Sequence, residues 1–260
     1  MIRQCLGPTC LGIVLLAGCG DSNDPVTRRR KDLKSDSPAV RAVAAEELAK
    51  AAPADIASAA NDLIFAMKDE KPEVRQFAAQ ALGQVPPQQQ PRVVPVLTAS
   101  LADADPGVRR KAALALSKIG PAAAPAAAQL AKMIRQGDAQ DAWWAAEALG
   151  RMGPQASTAI NELTGLLNAS QARNRSEAAW ALGNVGPAAA AAVGQLAVLT
   201  SDRDAPVRLS AVTALGQIGP AALAARGAVA NCLSDSIPAI RISAARAIKQ
   251  IDGIRPGPED

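Results

Sequence analysis

The feature that most constrains this chain is a period. The phrase LGQIGPAALA at 215–224 returns in altered form along the sequence. Aligned on the leucine, its copies fall at Leu48, Leu82, Leu116, Leu149, Leu182, Leu215 and, with isoleucine, Ile248, spaced by 34, 34, 33, 33, 33 and 33 residues. Self-similarity at that spacing means an array of small units that bury apolar surface by stacking, not one closed globule. Four places before each leucine stands alanine: Ala44, Ala78, Ala112, Ala145, Ala178, Ala211 and Ala244. Eight places before it stand Val40, Val74, Val108, Val207 and Ile240, interrupted by Asp141 and Asn174. Offsets of zero, four and eight share one face of a helix. The repeated alanine implies a neighbouring helix too close for a larger side chain.

Between copies the sequence punctuates itself. Gly120-Pro121, Gly153-Pro154, Gly186-Pro187 and Gly219-Pro220 follow the leucine phrase. Glycine ends one helix, and proline, with no N–H to satisfy, opens the next. A second apolar helix follows, such as ASTAINELTGLL at 156–167, and runs into a polar loop. There Asp69, Asp103, Asp202 and Asp235 stand six places before Arg75, Arg109, Arg208 and Arg241. Each unit is therefore an antiparallel helix pair. The expected architecture is an all-α solenoid of about seven pairs over residues 36–252, with seven second helices but six first helices, because no apolar helix precedes Asp36. Layers 8–10 Å apart give a curved rod of roughly 60–70 Å. The tail, 253–260, carries two prolines and is expected to be disordered.

Composition supports helix and removes much chemistry. Hydrophobic residues make up 49% of the 260, yet only 2% are aromatic, and there is no Tyr and no His. Without histidine the commonest general acid/base and the commonest metal-binding imidazole are missing. No metal site assembles from His or paired Cys, and there is no P-loop and no G-x-G-x-x-G. Carboxylates sit mostly at helix starts, where capping accounts for them. The reading is a protein with no catalytic residues, no metal, no cofactor and no small-molecule substrate. Net charge is +4, but RRRKDLK at 28–34 supplies that much alone, and the chain from Ser35 onward nets +1. So neutral a body lacks the basic face that nucleic-acid binding needs.

A period near 33 also suits ankyrin and tetratricopeptide arrays, whose phrases want His and Tyr, both missing here. The pattern D-x-x-P-x-V-R-x-x-A-A-x-A-L-G-x-I-G, from DADPGVRRKAALALSKIG (103–120) to DSIPAIRISAARAIKQID (235–252), resembles instead the short HEAT-like repeat of phycobilisome-lyase-type proteins. The resemblance implies that the Asp and Arg hydrogen-bond from one repeat to the next, through Arg41, Arg75, Arg109, Arg175, Arg208 and Arg241. Repeat four has Ala142 in the arginine's place, so the ladder is expected to break there. The resemblance also carries an alternative activity, that of a bilin-attaching lyase or its accessory subunit. Some HEAT-like proteins are di-iron hydroxylases built on His-Glu pairs, which a chain without histidine cannot assemble.

The N-terminus reads as a leader. One early Arg precedes the apolar run Leu11–Ala17, too short to span a bilayer, and Leu16-Ala17-Gly18-Cys19 resembles the bacterial lipobox. That resemblance implies a signal peptide over 1–18, cleavage before Cys19, and acylation of Cys19. The protein is then a lipid-anchored, extracytoplasmic bacterial lipoprotein, with inner or outer membrane left open. Residues 19–35 read as the acylated cysteine and a charged tether. Cys5 and Cys10 leave with the signal, so Cys232, in the apolar stretch AVANCLSD, remains as a buried small hydrophobe.

Function then falls to a surface. Positions two, five and six before the leucine point away from the apolar face, and in solenoids of this type the second helices line the concave side. Most of these positions are small or polar, but in the middle they read Arg110, Lys111 and Leu114, then Trp143, Trp144 and Glu147, then Glu177 and Trp180. All three tryptophans lie on this strip, with Phe77 in an equivalent place. Indoles beside arginine are enriched at interface hot spots. The expectation is a strip that binds a protein or peptide partner, with the competing reading that the indoles fill a gap where Asp141 and Ala142 replace the usual Val and Arg.

Overall fold

The computed structural model describes Asp24–Ile254. The expected signal peptide, Cys19 and most of the expected disordered tail lie outside the described residues. Fourteen α-helices alternate along the described chain in two sets. The first helices are α1 (Pro25–Asp32), α3 (Pro53–Ala66), α5 (Gln90–Ser100), α7 (Ala127–Gln136), α9 (Ile160–Leu166), α11 (Val193–Leu199) and α13 (Arg226–Asn231). The second helices are α2 (Pro38–Ala49), α4 (Pro72–Leu82), α6 (Pro106–Ile119), α8 (Ala139–Met152), α10 (Ala172–Val185), α12 (Ala205–Ile218) and α14 (Pro238–Ile251). The chain is an α-solenoid of seven helix pairs.

Helix α1 corrects two expectations at once: a helix does precede Asp36, and the charged tether over 19–35 is helical from Pro25 to Asp32. Its physical reasons are local. The Asp24 side chain accepts from the Thr27 N–H at 3.0 Å, Pro25 occupies the first turn, and Val26 and Leu33 are buried. The basic residues are not simply solvated. Arg29 pairs with Glu47 on α2, and Arg30 and Lys34 converge on Asp62 of α3, so α1 completes the first layer.

Gly120, Gly153, Gly186 and Gly219 take φ of 69, 61, 77 and 71°, the left-handed values that glycine alone adopts freely at a helix end. The proline after each opens a 3-10 turn, such as Gly153–Ala159, and the α-helical part starts only at Ile160. The apolar stretch Ala172–Leu199 is long and apolar enough to cross a membrane by composition, but it is two helices, α10 and α11, broken at Gly186 and packed on α9 and α12 respectively.

The core follows the period. The leucines from Leu48 to Leu215 are wholly buried, as are the alanines from Ala78 to Ala244. The exceptions lie in the first and last of the described second helices, where Val40 is 39% exposed and Ile248 half-buried. Close approach also runs through the residue after the leucine. A Cβ on Gly83 would lie 2.6 Å from the Ala115 Cα, and one on Gly216 would lie 2.9 Å from that of Ala247. Successive second helices pack along one another, whereas first helices meet their neighbours at few points. Layers that lie closer on one side bend toward that side, so the second helices line the concave face.

Candidate functional site

The predicted ladder is present. Arg75 donates through Nε and Nη2 to Asp103 at 2.8 and 2.7 Å, while its Nη1 holds the carbonyls of Asp69 and Glu70 in its own loop. Arg175 repeats this with Asp202 at 2.8 and 2.9 Å, and Arg208 with Asp235. The guanidinium beside each aspartate opposes the cost of burial and holds the carboxyls of Asp69, Asp103, Asp202 and Asp235 below their ordinary range. Each aspartate also accepts the backbone N–H two residues on, for example Lys71 to Asp69 at 2.9 Å.

Repeat four rearranges the ladder. Gln136 occupies the aspartate's place, and Arg109 turns to Asp141, bonding its Oδ2 at 2.9 and 2.6 Å. Asp141 sits in the core valine's position, fully buried, and takes Arg110 as well, Nε to Oδ1 at 2.9 Å. Between repeats four and five both partners are gone, with Ala142 for the arginine and Ala169 for the aspartate. Among the described residues this is the internal boundary without a rung, as expected at Ala142. Asn174, in the other vacant valine position, donates to the Ala139 carbonyl at 2.9 Å, and its own buried Oδ1 has no partner.

The indoles stand on that boundary. Trp143 and Trp144 on α8 meet edge to face, centroids 4.4 Å apart at 71°. The Trp143 indole N–H acts on the Glu177 carboxyl of α10, favouring its charged form, and the Arg173 guanidinium lies 3.6 Å from the Trp143 ring centroid. Trp180 covers Gly150, where an added Cβ would fall 2.2 Å from its ring, and Arg151 lies 5.5 Å from its centroid. All three indoles are half-buried: Trp144 and Trp180 pack on the core and still reach solvent. Burial and then the charge of Glu147 push the Glu177 carboxyl up to about 7, against the pull of the Trp143 N–H, Arg173 and Arg151.

The expected strip thus divides. Trp143, Trp144, Glu147, Glu177 and Trp180 form one cluster across α8 and α10. Arg110 is committed to Asp138 and Asp141, and Lys111 to Gln80 at 2.7 Å, while Leu114 is half-buried on α6. Phe77 is half-buried against the core on α4. Sequence reading missed Arg151, Arg173 and Gly150. A signal for them existed: facing side chains on adjacent second helices lie 30 or 34 residues apart, as in Thr213–Ser243 and Ser176–Ser210. Trp143–Arg173, Gly150–Trp180 and Trp143–Glu177 follow the same separations. Cys232 is buried, its thiol pushed up by that burial and donating to the Thr200 carbonyl.

The family model for HEAT repeats matches residues 26–105, 61–149, 127–193 and 194–259. No curated protein matches by sequence. Among solved structures, an archaeal HEAT-like repeats protein from Thermococcus onnurineus NA1 is 14% identical, with a TM-score of 0.60 over 88% of this chain and 97% of its own. The complex of CpcE and CpcF of phycocyanin lyase from Nostoc sp. PCC7120 is 24% identical, with a TM-score of 0.52 over 94% of this chain and 100% of that one. A computationally designed armadillo repeat protein for modular peptide recognition is 18% identical, with a TM-score of 0.51 over 86% and 98%. At these identities the likeness is one of fold.

Proposed function

This chain belongs to the HEAT-repeat family, and from that premise we propose that it is a non-catalytic scaffold, lipid-anchored through Cys19, that holds a protein or peptide partner on its concave face. One observation carries the reading: three half-buried indoles and two carboxylates gathered on the inner strip at a single repeat boundary. Rigid aromatic surface at the centre of a groove is what interface hot spots are made of. A similar fold has been designed for modular peptide recognition, which fits the same use of the groove.

Anchoring places that groove. Pro25 lies six positions after Cys19, a reach of about 20 Å at full extension, so acylation of Cys19 would hold the first layer near an extracytoplasmic membrane surface. Each acyl methylene contributes ~0.8 kcal/mol, so two or three chains retain the protein without any basic patch.

Two measurements test the reading. Cys19→Ser should move the protein from the membrane fraction to the soluble one. Affinity capture from membranes with the full chain, repeated with the Trp143→Ala/Trp180→Ala double variant, should lose the partner, and equal recovery by the double variant removes the site. Collisional quenching of tryptophan gives a separate check: blue-shifted emission inaccessible to quencher from all three indoles would assign them to packing alone.

A further inference from the structure

Phe65 is exposed at a place where the repeat does not ask for an aromatic. It lies on α3 four positions before Asp69, and the same place in the later first helices holds Ala99, Lys132, Gly165, Val198 and Asn231. Every member of that column faces solvent, so packing does not select the ring. Phe65 is 68% exposed, whereas Phe77 and the three indoles are half-buried. Its surroundings are cationic. Phe65 lines a hollow of about 610 Å³ between the first two described layers, with Leu33 and Ala66 as apolar wall and Lys34, Arg41 and Lys68 around it. The acids of the hollow are already taken: Asp62 is buried and held by Arg30 and Lys34 at 2.7 and 2.8 Å, and Asp69 is clamped by Arg41. Lys34 keeps 62% of its side chain exposed, Lys68 is exposed, and so is Lys31, one turn before Lys34 on the same side of α1. Asp36 and Glu70 are exposed acids of the adjoining loops, and Glu70 lies 3.5 Å from Arg41.

We propose that this corner of the solenoid is a membrane-contact surface, with Phe65 entering the interfacial region of a bilayer and Lys31, Lys34 and Lys68 taking anionic headgroups. Charge complementarity selects this occupant, because a ring flanked by ammonium groups fits a surface that is negative above and apolar beneath. Lysine suits the task, since a compact charge on a flexible stem follows mobile phosphates without a fixed geometry. The proposal deepens the anchored reading and rests on it for one thing, that acyl chains on Cys19 would set α1 beside the bilayer. The surface then decides which way the molecule faces. Phe65 belongs to a first helix, on the convex side, so contact through it turns the indole strip away from the lipid and leaves the groove open to a partner.

The probe is vesicles of equal parts phosphatidylcholine and phosphatidylglycerol, set against vesicles of phosphatidylcholine alone and sedimented with the full chain carrying Cys19→Ser. The expected result is binding to the mixed vesicles that falls about tenfold with Phe65→Ser and about tenfold with Lys31→Glu/Lys68→Glu, only the second change erasing the preference for anionic lipid. Phe65 and both lysines are exposed, and unchanged thermal midpoints confirm that the variants fold. Absence of binding overturns the proposal. So does binding that either variant leaves intact; intact in both, it belongs to the apolar run Leu11–Ala17. Loss of a captured protein with Phe65→Ser, while vesicle binding stays unchanged, also overturns it in favour of a protein occupant. The two readings fail separately. An unmodified Cys19 by mass spectrometry of the unaltered protein removes the anchor and leaves the vesicle result standing, whereas absence of vesicle binding removes the surface and leaves the anchor.

Discussion

Arg175 clamps Asp202 across the boundary between repeats five and six, Nε to Oδ2 at 2.8 Å and Nη2 to Oδ1 at 2.9 Å, while its Nη1 holds the carbonyls of Ala169 and Ser170 at 3.0 Å. One side chain thereby ties its own loop to the next layer. In a stack where each layer touches only its neighbours, such ties set how far a local opening spreads.

Arg175→Ala is expected to cost about 2–3 kcal/mol, because it strips a buried guanidinium from a carboxylate and frees two loop carbonyls together. Hydrogen exchange should locate the loss, with protection falling first in α10 and α12 and the terminal layers changing little. A loss of protection spread evenly over all layers would contradict nearest-neighbour coupling.

Glu177 predicts a pH dependence opposite in sign to that of the ladder aspartates. Its folded pKa, about 7, lies above the ordinary glutamate value, so the folded state favours the protonated carboxyl. The destabilisation is absent below the unfolded value of 4.5, grows between 4.5 and 7, and is complete above 7. Glu177→Gln keeps an oxygen for the Trp143 N–H and removes the charge beside Glu147. Its thermal midpoint should exceed that of the parent at pH 8, and the gap should close by pH 4. The ladder works the other way: Asp235, held down to about 2 chiefly by its hydrogen bonds from Arg208, stabilises above the unfolded value of 3.8 and loses that contribution as the pH falls toward 2.

Gly150 and Gly165 make a matched pair. A Cβ on Gly150 would lie 2.2 and 2.7 Å from Trp180 ring atoms and 3.1 Å from the Ala181 backbone, so Gly150→Ala must displace the indole. The cost of overpacking, about 1–3 kcal/mol, exceeds the gain in helix propensity. Gly165, inside α9, has nothing within 4 Å of the added atom, and Gly165→Ala should stabilise by about 0.5–1 kcal/mol. Denaturant midpoints for the two variants should move in opposite directions, and tryptophan emission should shift to the red only in the first.

The period made the stack legible because a repeated environment selects a repeated residue: Leu116 and Leu215 do one job in two layers, and so do Arg75 and Arg208. What escaped was what the period does not repeat. Helix α1 matches no leucine phrase, and its RRRK run reads as solvent-loving until Asp62 and Glu47 supply partners from later helices. Asp141 and Asn174 showed only as interruptions, since one position in a column does not say which arginine will turn toward it. The tryptophans were found by composition, but their neighbours Arg151 and Arg173 lie outside the positions that define the strip and meet the rings only through the offset between adjacent helices.

Asp141 is where the array departs furthest from its own rule, and reversing the departure tests that rule. Asp141→Val restores the residue found at Val108 and Val207, yet it leaves Arg109 and Arg110, each with 23% of its side chain exposed, without their shared carboxylate. Partial hydration of the two guanidiniums softens the loss, so the single change should cost about 2–3 kcal/mol despite better apolar packing. Gln136 stands six places before Ala142, where four of the repeats put the ladder aspartate, and it lines the same hollow as Arg109. Adding Gln136→Asp should offer Arg109 the partner used elsewhere and recover most of the loss, leaving Arg110 to Asp138, which it already holds at 2.6 Å. Urea unfolding of the parent, both single variants and the double variant closes the cycle. A coupling below about 0.5 kcal/mol would mean that the buried aspartate does something the surface rung cannot replace.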